Sequence, residues 1–305
     1  MKAHYSEQVN LLLSILSEVL HSPDVALKGG TALNLFTLDM PRLSVDIDLC
    51  FLPVLPRNES MERISSTMME ISQRLSRSPT LRTSLKFTQD RILKQIIVSS
   101  LTVSVKVEIN LVLRGAVFEV QKKDLCTSAQ ERYGKFLSVS CLSFEDLYAG
   151  KFCAALDRQH PRDLFDVYLF FENFVFSDKL KQAFISYVIS SNRPVHEIIK
   201  PNLLKQEDLY QKEFLGMTDQ KVSYKQLEAA RRHLISTILA NLSDEDKNFL
   251  ISVEEGNPRW EFCEPLNIQN LPAIQWKIFN VRKMDFDKRL QSVDELKKKL
   301  DYDID

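Results

Sequence analysis

From residue 42 to residue 51 the chain alternates without interruption. Leu43, Val45, Ile47, Leu49 and Phe51 point one way, and Arg42, Ser44, Asp46, Asp48 and Cys50 point the other. A period of two over ten residues is the pattern of a strand with one buried and one polar face, and Pro53 and Pro56 close it. Side chains at i and i+2 share a face, with Cα atoms roughly 6–7 Å apart. The carboxylates of Asp46 and Asp48 can therefore converge on shared divalent cations. In-line phosphoryl transfer uses such pairs, and Mg²⁺ is satisfied by a few carboxylates, water and substrate phosphates. An isolated Asp-x-Asp more often forms the solvated face of an amphipathic strand. Asp is nevertheless disfavoured in strands, and like charges on one face repel.

The residues upstream change that balance. Val25-Ala-Leu27 runs through Lys28-Gly29-Gly30-Thr31 into Ala32-Leu33-Asn34-Leu35-Phe36, which reads as strand, tight glycine turn and helix. Glycine permits positive φ and close backbone approach, and a helix N-terminus there offers free amides to phosphate. Any tight turn uses glycine. A glycine turn followed by an Asp-x-Asp strand is a far more specific pattern.

A second alternating strand is expected over 102–113. Val103, Val105, Val107, Ile109 and Leu111 would face the core, and Ser104, Lys106, Glu108 and Asn110 would face away. Weaker strands are expected at 83–88 and 94–99. Val9, Leu12, Leu13, Leu16 and Val19 have helical spacing, with Ser6 as N-cap and His21-Ser-Pro23 as the stop. Ile64, Met68, Ile71 and Leu75 mark a helix over 60–77.

After residue 140 the pattern turns helical. Ser143-Phe-Glu-Asp146 resembles a capping box, opening a helix through Lys151 to about Arg158. Pro161 suits a first turn, so a further helix starts near it and carries Arg162, Asp163 and Asp166. More helices are expected at 178–190, 223–240, 243–251 and 286–300. The pattern is most broken near 175–200, at Asn192-Arg-Pro194 and Lys200-Pro201. The expected class is α+β: a core lobe of mixed sheet and flanking helices over 1–140, and a mainly helical lobe over 141–305.

Composition excludes several classes. A formal net charge of −1 gives no global basic field for nucleic acid. Cys50, Cys126, Cys141, Cys153 and Cys263 are scattered with no CxxC pair, which fits small core residues in a reducing cytosol. The N-terminus shows no signal-peptide pattern, and no apolar run approaches the ~20 residues of a membrane helix, so a cytoplasmic protein is expected. The five histidines show no ligand spacing, and no Ser/His/Asp or Cys/His arrangement is signalled.

Lys28-Gly-Gly-Thr-Ala-Leu33 followed by Arg42-Leu-Ser-Val-Asp-Ile-Asp-Leu49 resembles the AbiEii toxin family, within the DNA polymerase β-like nucleotidyltransferases. Lys106-Val-Glu108-Ile-Asn110 matches that family's Lys-x-Glu/Asp strand, and Lys151…Arg158…Arg162-Asp163-x-x-Asp166 matches its next motif. Phe249-Leu-Ile-Ser252, Gly256-Asn-Pro258-x-Trp260 and Leu271-Pro-x-x-x-Trp276-Lys277 also recur in it, Trp260 and Trp276 reading as packing anchors.

The resemblance implies a nucleotidyltransferase that moves a nucleoside monophosphate from a triphosphate to an acceptor hydroxyl. It makes Asp46, Asp48 and Glu108 ligands of Mg²⁺ or Mn²⁺, and Gly29, Gly30, Thr31 and Ser44 holders of phosphate. Lys151 and Arg158 would meet the triphosphate, and Asp166 would be essential, on a lobe facing the first across a cleft. The biological setting it implies is toxin–antitoxin or phage defence, with an AbiEi-like antitoxin and the tRNA 3′ end among the acceptors. Three rivals stay open: AMP transfer to protein, modification of a small molecule, and an inert nucleotide- or protein-binding module on the same fold.

Overall fold

The computed structural model describes residues 3–263 and 266–301. The chain divides into two compact units. The first comprises residues 1–147 with 216–221, and the second 148–215 with 222–305.

The first unit opens with helix α1 (Ala3–Val19), strand β1 (Val25–Lys28), helix α2 (Gly29–Phe36), strand β2 (Asp46–Phe51) and helix α3 (Arg57–Leu75). Strands β3 (Arg82–Phe87), β4 (Leu93–Ser99) and β5 (Ser104–Ile109) follow. Next come β6 (Gln121–Asp124), α4 (Thr127–Tyr133) and β7 (Ser138–Cys141). The seven strands form one mixed sheet in the order β3-β4-β5-β2-β1-β7-β6. The strand carrying Asp46 and Asp48 is thus central, antiparallel to β1 and parallel to β5. Leu12, Leu16 and Val19 of α1, Ile64, Met68 and Ile71 of α3, and Ile47, Leu49 and Val107 of the sheet share one hydrophobic core.

Several boundaries differ from the sequence pattern, each for a local reason. Ser6 lies inside α1 rather than capping it, and its hydroxyl pairs with Tyr133 Oη at 3.2 Å. No separate glycine turn precedes α2, which begins at Gly29 itself. Arg42–Val45 continue the alternation but are not strand. The Leu43 amide donates to Met217 O at 2.8 Å and Thr218 Oγ1 donates to Pro41 O at 2.7 Å, so their hydrogen bonds go to the returning segment 216–221. The strand expected over 102–113 is cut to Ser104–Ile109 because Asn110 Oδ1 accepts from the amides of Val112 and Leu113 and turns the chain. At the other end of β2, Cys50 is buried although it lies on the polar face, because its thiol donates to Gly115 O at 3.2 Å from the segment laid over it. Burial pushes that thiol up to about 11.

Helix α5 (Phe144–Asp157) carries the chain from the first unit into the second. Its N-terminus is fixed by Ser143 Oγ, which accepts from the Asp146 amide at 3.0 Å. The Asp146 carboxylate accepts from that hydroxyl and also from the amides of Val117 and Phe118, at 3.0 Å each. The helices after it are α6 (Pro161–Asn173), α7 (Asp178–Ile189), α8 (Val195–Ile199) and the three-residue α9 (Glu207–Leu209). Then come α10 (Tyr224–Asn241), α11 (Asp244–Glu254), α12 (Pro272–Lys283) and α13 (Phe286–Lys299). Capping boxes at Ser223/Gln226 and Ser243/Asp246 start α10 and α11. Trp276 is not a packing anchor. It is 48% exposed, since α12 turns Ala273, Ile274, Ile278 and Val281 inward instead. Among the described residues no helix is long and apolar enough to cross a membrane.

Candidate active site

Register decides which side chains join the two aspartates. Residues paired across neighbouring strands point to the same face. Lys28 of β1 is paired with Asp48, Lys106 of β5 with Asp46, and Glu108 with Asp48. Five charged side chains therefore stand on one face of three adjacent strands: three carboxylates and two ammonium groups. Lys106 Nζ pairs with Glu108 Oε2 at 3.0 Å. Burial alone would lower the Lys106 ammonium, but Glu108, Asp46 and Asp48 hold it above lysine's ordinary value.

The glycines sit against this face. Gly29 has φ +71°, and a methyl group placed on it would fall onto Asp48 Oδ2, with Asp48 Cβ and Cγ each 3.1 Å away. Only a residue without Cβ lets the start of α2 and the Asp48 carboxylate occupy adjacent space. A Cβ on Gly30 would stand 2.8 Å from Ser44 Oγ and 3.1 Å from Arg42 Nη2. Thr31 Oγ1, on the next residue, donates to Asp46 O at 2.5 Å and is hydrogen-bonded to Ser44 Oγ at 3.1 Å. Gly29, Gly30, Thr31, Ser44, Asp46 and Asp48 thus form one contiguous group, with the first turn of α2 behind the aspartates. Lys28 and the buried Arg42 belong beside this group. Residue type alone did not single them out, because their placement follows from register and from the fold of 42–45.

Among the described residues no group of three or more His, Cys, Asp or Glu side chains is disposed to enclose a metal ion. Asp46 and Asp48 make a two-carboxylate face, with Glu108 held by Lys106. Such a donor set suits Mg²⁺ or Mn²⁺ completed by water and phosphate, rather than a structural ion in a protein cage.

The second unit contains its own charged cluster. Lys151 lies on α5, and Asp163 and Asp166 on α6. The Lys151 ammonium is 3.0 Å from Asp163 Oδ1 and 3.0 Å from Asp166 Oδ2, and Arg158 Nε is 2.6 Å from Asp163 Oδ2. Both carboxylates are fully buried, whereas most of Arg158 is exposed. Burial alone would raise the Asp163 carboxyl, yet the charges of Lys151 and Arg158 hold it well below the usual carboxylate range. An ammonium has three donors. Two of those on Lys151 are taken by aspartates, and the third has no partner among the described residues. The α5–α6 connection that sets this spacing is tight. Gln159 adopts φ +53°, and His160 caps α6 through Nδ1, which accepts from the Arg162 amide at 3.1 Å. Its Nε2 stands 3.0 Å from Glu213 Oε2. Asp163 is the hub of the cluster.

A central strand with paired aspartates, flanked by a glycine-started helix and a Lys-x-Glu strand, is the arrangement of a nucleotidyltransferase. The chain belongs to the AbiEii family, nucleotidyltransferase toxins of type IV toxin–antitoxin systems, whose profile matches residues 10–276. The fold is similar to that of MenT4, a nucleotidyltransferase toxin from Mycobacterium tuberculosis H37Rv. The match has a TM-score of 0.60 at 15% identity, over 92% of this chain and 95% of that one. JHP933 from Helicobacter pylori aligns over 78% of this chain and 93% of its own, at 14% identity and a TM-score of 0.44. No curated protein matches the sequence.

Proposed function

We propose that this nucleotidyltransferase transfers a nucleoside monophosphate from a triphosphate to an acceptor hydroxyl with Mg²⁺ or Mn²⁺ on Asp46 and Asp48. The observation that carries the reading is the close approach of Gly29 to the Asp48 carboxylate, which sets the first turn of α2 directly beside two strand-borne aspartates. The free amides of that turn, with Ser44, hold phosphate oxygens, and the buried Thr31 braces the turn through its bond to Asp46 O rather than meeting phosphate with its hydroxyl. Lys28 and Lys106 offset charge on the same face. A bound cation supplies Lewis-acid polarisation of the α-phosphoryl group and charge compensation.

The acceptor oxygen forms a bond to the α-phosphorus, and the bond from that phosphorus to the α–β bridging oxygen breaks. Pyrophosphate leaves with the electron pair, and the acceptor proton passes to a carboxylate among Asp46, Asp48 and Glu108. Lys151, through its remaining donor, and the exposed Arg158 carry positive charge of the kind that neutralises a departing pyrophosphate. Asp166, with Asp163, holds the Lys151 ammonium in place. As a toxin in the cytoplasm, the protein acts on the tRNA 3′ end and is opposed by an AbiEi-like antitoxin. Its role in the cell is defence against phage.

Incubation with each α-labelled nucleoside triphosphate and total cell RNA or lysate tests this, since label follows the acceptor. Label on tRNA supports the reading, and label on protein moves the assignment to nucleotidylylation of a side chain. Growth inhibition on overexpression that persists in Asp48→Ala would falsify the catalytic reading altogether.

A further inference from the structure

Beyond the aspartate face, one buried charge in the first unit has no compensation. Arg114 is only 7% exposed, and its Nε and Nη1 find no hydrogen-bond partner. Among the described residues it makes no ion pair. A guanidinium removed from water without an anion costs several kcal/mol, so such a side chain is retained for something that supplies the anion.

Its surroundings point to what that is. The amide of Gly115 donates to Phe51 O at 2.8 Å, which pins Arg114 beside the end of β2, just before the chain enters α3. Helix α3 is 19 residues long and starts uncapped: its N-cap is Pro56, which gives no side-chain acceptor to the first turn. The first residue of α3 is Arg57, and its charge bears directly on the Arg114 guanidinium, which burial and this neighbour together depress. Two guanidinium groups and the positive end of a long helix therefore converge on one place. The one acid in the first turn, Glu59, bears instead on Arg63, which is already paired with Asp24. Phe51 lies three residues beyond Asp48, roughly 10 Å along the strand. The convergence thus lies toward the end of β2 and the start of α3, beyond the aspartates themselves.

We propose that Arg114, Arg57 and the first-turn amides of α3 form a binding site for a phosphate dianion, either free phosphate or the terminal phosphate of a nucleotide. Two arginines plus a helix N-terminus exceed the charge of a single carboxylate and match a dianion. The helix contributes N–H groups at fixed positions, and arginine contributes a planar fork that fits phosphate oxygens. The proposal does not depend on which acceptor the enzyme uses.

The test uses the full-length protein without nucleotide or divalent cation, so that the aspartate face carries only its own negative charge and holds no metal to bind phosphate. Inorganic phosphate is titrated against chloride at constant ionic strength, following the amide resonances of residues 57–59 and the Tm. Saturable shifts at those amides and a rise in Tm are expected. Arg114→Met should weaken binding at least tenfold while raising the Tm in phosphate-free buffer. Arg57→Gln, at an exposed position that folding does not require, should weaken binding several-fold. A parallel titration with a nucleoside 5′-monophosphate tells the two sources apart: matching affinity assigns the site to a phosphate ester, and loss of affinity assigns it to free phosphate. The absence of a saturable response beyond that of chloride overturns the proposal. So does a response that survives in Arg114→Met or, if that variant fails to fold, in Arg57→Gln.

Discussion

Replacing Gly29 by alanine tests the central contact of the site, and Gly134 provides a matched control. Both have positive φ, +71° and +61°. A non-glycine residue in the left-handed region costs roughly 1–2 kcal/mol. Alanine also narrows the unfolded ensemble, which offsets about 0.4–1 kcal/mol of that cost. These two effects are common to both positions. They differ in what the new methyl meets: nothing within 4 Å at Gly134, but the Asp48 carboxylate at Gly29. Forcing a side chain out of such an overlap costs about 1–3 kcal/mol. Gly134→Ala should therefore lose about 1 kcal/mol, and Gly29→Ala about 2–4 kcal/mol. Urea denaturation read at constant m measures the difference as a shift in midpoint. Nucleotide transfer is read on the same samples at a temperature where both variants are folded. Gly134→Ala should retain the wild-type rate, and Gly29→Ala should lose it because Asp48 has been displaced. Equal stability of the two variants, with Gly29→Ala still at full rate, would refute the role given to this contact.

Chelation of divalent cations should abolish transfer reversibly, and added Mg²⁺ or Mn²⁺ should restore it; transfer that persists in excess chelator would remove Asp46 and Asp48 from the reaction. Asp146→Ala strips the acceptor from the Val117 and Phe118 amides and the Ser143 hydroxyl, and should cost about 3 kcal/mol, measured by urea denaturation. Asp163 titrates near 3.8 when unfolded and lower when folded. Its contribution is therefore fully present above about pH 4–5 and lost as pH falls toward the folded value. Asp163→Asn should cost about 3 kcal/mol at neutral pH and flatten this acid limb in a pH series of denaturation midpoints. The same variant should raise the KM for nucleotide more than it lowers kcat, because it frees Lys151 and Arg158 from their fixed positions.

The parts of the fold visible in the sequence were those with strong local periodicity. Strand β2, strand β5 and helices α1, α3, α6 and α7 announce themselves through apolar spacing and terminal residues. Strands β6 and β7 do not, since Gln121-Lys-Lys-Asp124 has no apolar face and Ser138–Cys141 is only four residues long. The return of 216–221 to the first unit is also silent, because it is held by single backbone bonds such as Leu43 to Met217. At the site, residue types and spacing led directly to Asp46, Asp48 and the glycines. Lys28 standing over Asp48, and Lys106 over Asp46, depend on strand register, which only the assembled sheet fixes. Arg114 gave no signal either. Its meaning comes from what fails to surround it.

The strand order carries a consequence in time. β2 pairs on one side with β1, some twenty residues earlier, and on the other with β5, some sixty residues later, while β1 in turn waits for β7 near residue 140. Contacts of such separation form only after long loops have closed. On the ribosome, the aspartate face therefore has no complete sheet behind it until the chain has emerged as far as Cys141. Synthesis itself delays the appearance of the toxin's chemistry.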